Sequence, residues 1–140
     1  MIEIKSFDAL TDDERMIRTR VFIEEQGFKL EFDEIDSKAS HLVLYYDGCP
    51  AACVRYFKGE NVGEYVLGRL AVLKPYRGRH FGELLVQETE KRIRKLGATI
   101  LSLSAQVRAS GFYAKLGFNQ SGDIYFDEYC EHIHMEKILD

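Results

Sequence analysis

Proline is scarce in this 140-residue chain, which has two, and no internal repeat or low-complexity linker interrupts it. One domain spanning residues 1–140 is expected, long enough to enclose a core. No uninterrupted apolar run reaches roughly 18 residues, which excludes a membrane-spanning helix. The opening Met1-Ile-Glu-Ile-Lys5 lacks a basic leader followed by a small-residue cleavage site, so a cytoplasmic location is expected rather than secretion. Cysteine is also sparse. Cys49, Cys53 and Cys130 form an odd set with no CxxC pair, which suits a reducing compartment better than a disulfide scaffold. Excess positive charge is missing as well: a formal net charge of -4 removes the basic face that general nucleic-acid binding needs.

Against that acidic total, basic residues gather between Lys74 and Arg79. Arg69-Leu-Ala-Val-Leu-Lys-Pro-Tyr-Arg-Gly-Arg-His80, followed by Phe81, Gly82, Leu84 and Leu85, reads as a strand feeding a helix through a glycine-bearing turn. A helix start leaves its first amides without intrahelical partners and carries about half a positive charge, so it suits the pyrophosphate of a nucleotide-like cofactor. Arg77 and Arg79 add side-chain cations. Further on, Val107 to Phe118 supplies a short helix closed by Gly117, with Tyr113 on it.

Periodicity and punctuation order the remaining elements. Residues 2–6 alternate as a strand. Residues 8–25 have a helical pattern, with Thr11 as N-cap and Glu14 at capping-box spacing. Residues 28–40 are acidic and irregular. Strands over 41–46 and 51–57 are joined by Asp47-Gly48, a hairpin signal. A third strand covers 65–73 and ends at Pro75. Phe81, Leu85, Thr89, Ile93 and Leu96 recur at helical spacing until Gly97. A strand over 99–105, a helix over 109–116 and two strands over 117–126 and 130–138 close the chain. The class is α/β, with a mixed, mostly antiparallel central sheet flanked by helices on both faces.

This order resembles that of the GNAT superfamily of N-acetyltransferases over essentially the whole chain, and implies a single GNAT-like domain. The superfamily's pyrophosphate loop, Arg/Gln-x-x-Gly-x-Gly/Ala, reads here Arg77-Gly78-Arg79-His80-Phe81-Gly82, with His80 at the first glycine position. With a negative φ at His80 the loop amides still point at phosphate, but the imidazole crowds the diphosphate unless it turns outward. The second motif, Asn-x-x-Ala-x-x-Phe/Leu-Tyr, reads Gln106 to Tyr113. Val21 to Gly27, Asp33 to Asp36, Leu103 to Gln106 and Cys130 to Met135 resemble the ElaA-like branch and its relatives, glyphosate N-acetyltransferase among them. The resemblance implies acetyl-CoA as cosubstrate. It would be held by the main chain of Leu70, Ala71 and Val72, by the loop Arg77, Gly78, Arg79, His80, Phe81 and Gly82, and by Gln106. The implied reaction is acetyl transfer to a primary or secondary amine by direct attack in a ternary complex. The acceptor, a small molecule or a peptide, stays unidentified.

The reaction needs an amine deprotonated, an oxyanion held and a thiolate protonated. The resemblance places Tyr113 near the CoA sulfur as general acid; the alternative is a core aromatic whose hydroxyl reaches the surface. A backbone amide at Val72 would hold the oxyanion. His132, whose side-chain type titrates near neutrality, is the candidate base. Glu25, Asp33 and Asp36, acting through water, are its rivals, and a histidine satisfied by a backbone carbonyl is the plain alternative. Cys130, His132 and His134 share a strand face but lack a fourth ligand and a second segment, so no metal is expected. Arg20 aligns with an arginine that in relatives faces the acceptor pocket, where its fork would hold an acid-bearing acceptor; an ion pair with residues 31–36 is the other reading. Arg20, Glu25 and Asp36 are thus the acceptor-side candidates, with Arg69, Arg55 and His41 secondary. No nucleic acid or membrane partner is expected, and the oligomeric state, homodimer included, stays open. His80 and Gln106 keep a second class in view: a CoA-binding or protein-interaction module on the same fold with its chemistry lost.

Overall fold

The computed structural model describes residues 1–140. Strand β1 is Ile2–Phe7, and helix α1 is Asp12–Arg18, opened by the Thr11 hydroxyl, which accepts from the Glu14 amide at 3.2 Å. The helix then widens into a π-helical segment, Thr19–Glu25, that Gly27 terminates at φ +80°. The helical pattern expected over 8–25 therefore begins later and changes pitch midway. Inside the irregular acidic stretch lies one 3₁₀ turn, Glu34–Ser37. Strands β2, Ser40–Tyr46, and β3, Cys49–Lys58, form the expected hairpin, with Asp47 and Gly48 both at positive φ as a tight turn requires.

Strand β4 is Glu64–Val72, followed by a 3₁₀ turn at Lys74–Tyr76 and the long helix α2, Phe81–Lys95. Strand β5 is Ile100–Gln106. A 3₁₀ turn at Val107–Ala109 leads into α3, Ser110–Lys115, and strands β6, Asn119–Asp127, and β7, Cys130–Ile138, close the chain. The seven strands are ordered β1-β2-β3-β4-β5-β7-β6. Pairings β1–β2, β2–β3, β5–β7 and β6–β7 are antiparallel. No helix is long and apolar enough to cross a membrane.

Two compact units divide the chain, one made of Met1–Phe57 with Leu67–Thr89, the other of Lys58–Val66 with Glu90–Asp140. The first is built on Ile17, Leu42, Leu44, Val54, Leu67 and Leu85, all essentially inaccessible. Its strands β2 and β3 carry near-continuous apolar runs, as strands covered on both sides do. The second is centred on Ile93, Leu101, Leu103 and Met135. Its edge strand β6 is exposed along its whole length, and a register shift at Gly122, φ +80°, bends it in the way that keeps edges from pairing further.

Candidate active site

In the first unit, β4 runs into the basic loop. Pro75 sits in the middle of the 3₁₀ turn Lys74–Tyr76, Gly78 turns at φ +81°, and His80 precedes α2 with its carbonyl accepting from the Leu84 amide at 3.0 Å. The amides of Phe81, Gly82 and Glu83 therefore stand outside the intrahelical ladder, at the positive end of a 15-residue helix. His80 adopts φ +64°, not the negative φ under which its ring would crowd the loop. The left-handed turn that glycine would supply is kept, at a backbone cost to which histidine is more tolerant than most residues. Its imidazole is 81% exposed, turned out beside Glu83 at 3.3 Å. Arg79 lies over the Tyr46 ring at 5.0 Å, and Tyr46 in turn meets Tyr76 and Phe81 edge-on or tilted. Phe81 and Gly82 are buried and offer main chain alone. Leu70 and Val72 are half-buried and Ala71 buried, as expected of packing side chains. With a basic side chain, a left-handed turn and open helix amides together, this loop fits a diphosphate.

Arg77 is different. Its Nε donates to the Val72 carbonyl at 3.0 Å, and its two terminal nitrogens donate to the two Glu25 oxygens at 2.7 Å each. That two-pronged bond raises the Arg77 pKa further. Neither the cation assigned to phosphate nor the carboxylate assigned to the acceptor stands alone; each is committed to the other.

Behind β4 lies a buried ionic network. The Arg18 guanidinium bonds Glu14 at 2.8 Å, Glu31 at 2.9 Å and Asp36 at 2.8 Å. Arg55 bonds Asp33 at 2.6 Å and Asp36 at 2.9 Å. Arg69, whose own backbone is strained at φ +55° within β4, bonds the Glu31 carboxylate at 2.9 Å and the Glu31 carbonyl at 3.0 Å. His41 completes the set, with Nδ1 at 2.8 Å from Glu14 and Nε2 at 2.9 Å from the Asp36 carbonyl. Both ring nitrogens face acceptors, so both must donate, and the ring is an imidazolium. Its charge makes four cations against the four carboxylates of Glu14, Glu31, Asp33 and Asp36. Burial pushes the His41 pKa down, but the bonds to Glu14 and Asp36 outweigh it and raise it. Burial likewise pushes Asp36 up, yet Arg18 and Arg55 hold it down to about 2. Glu14, Asp36 and His41 come close enough to suggest a metal triad, but both carboxylates are already bonded to cations, Glu14 to Arg18 and His41, Asp36 to Arg18 and Arg55.

These contacts correct one acceptor-side expectation, Asp36, and the ion-pair reading of Arg20. Asp36 is buried, with its oxygens held by Arg18, Arg55 and the Asp33 amide, and a carboxyl that acidic is a poor base. The ion pair with residues 31–36 is made by Arg18, not by Arg20, which is exposed. Arg55 and His41, left secondary, face inward with Arg18. A cleft of about 440 Å³ opens beside the network, lined by Leu10, Arg15, Phe32 and Ser37 with Asp33 and Asp36. Cys53 is fully buried, and burial pushes its thiol pKa far up, which leaves it no nucleophilic role.

In the second unit, antiparallel register sets Gln106 on β5 directly opposite His132 on β7, and His132 opposite Tyr125 on β6. His132 is buried. Its Nδ1 donates to the Cys130 carbonyl at 3.1 Å, which orients the ring. The Tyr125 ring stacks on it at 6.1 Å and 27°, and the Tyr125 hydroxyl is bonded to Ser104. Gln106 accepts from Arg108 at 2.7 Å. Tyr113, on α3, is buried between Phe112 and Phe118, and burial raises its pKa well above the ordinary value. Tyr125 and Arg18 were not among the residues singled out from the sequence. Tyr125 could have been found by counting back from the Asp127–Cys130 hairpin, and Arg18 from its four-residue spacing to Glu14.

Comparison with known proteins agrees with this architecture. A sequence model of the acetyltransferase (GNAT) domain matches residues 10–139. The uncharacterized Bacillus subtilis protein YyaT is 35% identical over 127 residues, covering 86% of this chain and 84% of its own. The uncharacterized N-acetyltransferase YjcF of the same organism is 31% identical over 124 residues, covering 86% and 87%. Escherichia coli ElaA superposes with a TM-score of 0.86 at 24% identity, over 98% of this chain and 99% of its own.

Proposed function

The chain belongs to the GNAT acetyltransferase family, and from that premise we propose that it transfers an acetyl group from acetyl-CoA to a primary or secondary amine by direct attack in a ternary complex. Acetyl-CoA is the cosubstrate, and when bound it supplies an activated thioester carbonyl with a thiol leaving group. The loop Arg77–Gly82, with the α2 amides and Arg79, is assigned to its phosphates, and the main chain of Leu70–Val72 and the amide side chain of Gln106 to the rest of its length. The Val72 amide is the donor for the oxyanion. His132 accepts the amine's proton, and Tyr113, whose hydroxyl is protonated at neutral pH, donates to the leaving thiolate. Arg20 faces an acid on the acceptor.

What supports this reading over a binding module with lost chemistry is that His132 and Tyr113 are both present; the Nδ1 bond of His132 to the Cys130 carbonyl suits a satisfied structural histidine as well as a base. Thiol release from acetyl-CoA, measured against a panel of primary and secondary amines, tests it. Amine-dependent release supports the transferase. Acetyl-CoA binding with no release for any amine would favour the module.

A further inference from the structure

Arg77 touches three separate pieces of the first unit. Its Nε reaches the carbonyl of Val72, the last residue of β4; its backbone belongs to the loop before α2; and its fork closes on Glu25, the last residue of the π-helical segment. Both side chains are little more than one-third exposed, and the bond is parallel and two-pronged, the strongest form of this pair. π-helical backbone is rare and is found mostly as single turns at functional places. Here it runs for seven residues and ends on this bond.

We propose that Glu25 and Arg77 are positioning residues, a strap that sets the phosphate loop against the end of β4 and against residues 19–25, so that acetyl-CoA affinity depends on a carboxylate. The inference rests on the assignment of the cofactor's phosphates to the loop at 77–82. It has an unusual sign. If Arg77 served phosphate directly, Glu25 would only compete for its guanidinium and repel the diphosphate, and its removal would tighten binding. If the pair is a strap, removing Glu25 loosens the loop and weakens binding, although an anion has been taken away from an anion site.

The test is calorimetric titration of acetyl-CoA into the parent protein and into Glu25→Ala, Arg77→Ala, the double variant and Arg77→Lys, with folding checked by circular dichroism. Each alanine variant is expected to raise Kd by about threefold to tenfold. The double variant should be no weaker than Arg77→Ala, because both changes remove the same bond. Arg77→Lys keeps the charge without the fork and should stay near Arg77→Ala, since lysine is itself a good point-charge ligand for phosphate and would restore a purely electrostatic role. Tighter or unchanged binding in Glu25→Ala, or full recovery in Arg77→Lys, overturns the strap. His80→Asp separates this from the underlying assignment: an anion placed at the α2 start must weaken acetyl-CoA if the phosphates lie there. Parent-like binding in His80→Asp would move the phosphates elsewhere and overturn the assignment and the strap together.

Discussion

His41 and Glu14 form an ion pair at 2.8 Å with neither side chain open to solvent, and the second ring nitrogen of His41 is held by the Asp36 carbonyl. The folded state therefore carries a protonated histidine, with a pKa raised above its unfolded value of about 6.5. A raised pKa stabilises fully below the unfolded value, and the contribution disappears as pH rises through the folded one. Unfolding free energy from urea titrations should thus fall as pH climbs above about 6.5. His41→Gln should flatten that decline. A parent curve that rises over the same range would mean that His41 is neutral in the fold.

Arg18 and Arg20 should part company when each is replaced by alanine. Removing Arg18 leaves Glu14, Glu31 and Asp36 buried without their shared cation, a loss of about 3–5 kcal/mol in chemical denaturation. Exposed Arg20 should cost under about 0.5 kcal/mol. If Arg20 serves the acceptor, Arg20→Ala raises KM for acid-bearing amines far more than for plain ones. Equal rises for both would remove it from the site.

Replacing His80 by glycine relieves a left-handed residue, worth roughly 1–2 kcal/mol, against an unfolded-state entropy cost of roughly 0.4–1 kcal/mol. A net gain of about 0–1.6 kcal/mol in stability is expected. Acetyl-CoA should bind as tightly as before or better, because the imidazole already points outward. A large loss of affinity would show that the ring itself touches the cosubstrate.

Much of this architecture was legible in the chain. The Thr11 cap, the Asp47-Gly48 turn, the Gly97 stop and the strand-loop-helix run through His80 are local signals, and each lies where the residues put it. The acceptor side was less legible, for two physical reasons. The helix carries Arg18 on the Glu14 face and Arg20 roughly on the opposite one, so Arg18 and not Arg20 enters the acidic network, and only the four-residue spacing to Glu14 marks it. Ion pairs between distant segments leave no periodic trace: Glu25 and Arg77 are 52 positions apart, and nothing local to either announces the bond. His80 shows the reverse case, a residue that breaks a motif in letters while the backbone keeps the motif's turn.

Tyr113→Phe removes one hydroxyl from a ring packed between Phe112 and Phe118, so folding and acetyl-CoA affinity should be retained. Turnover should fall by about 10² to 10⁴, the range for a lost acid-base group. Unchanged turnover would return Tyr113 to a packing role.

The pH dependence of kcat/KM in the parent and in His132→Ala, measured with one amine that turns over, bears most directly on the transferase reading. A base that must be neutral to accept a proton produces a low-pH limb, and with His132 as that base the limb is absent in the variant, whose rate at the plateau is lower by about 10² or more. An unaltered limb at parent-like rates in His132→Ala would contradict the assignment and transfer the proton to water, to Glu25 or to the amine's own ionisation.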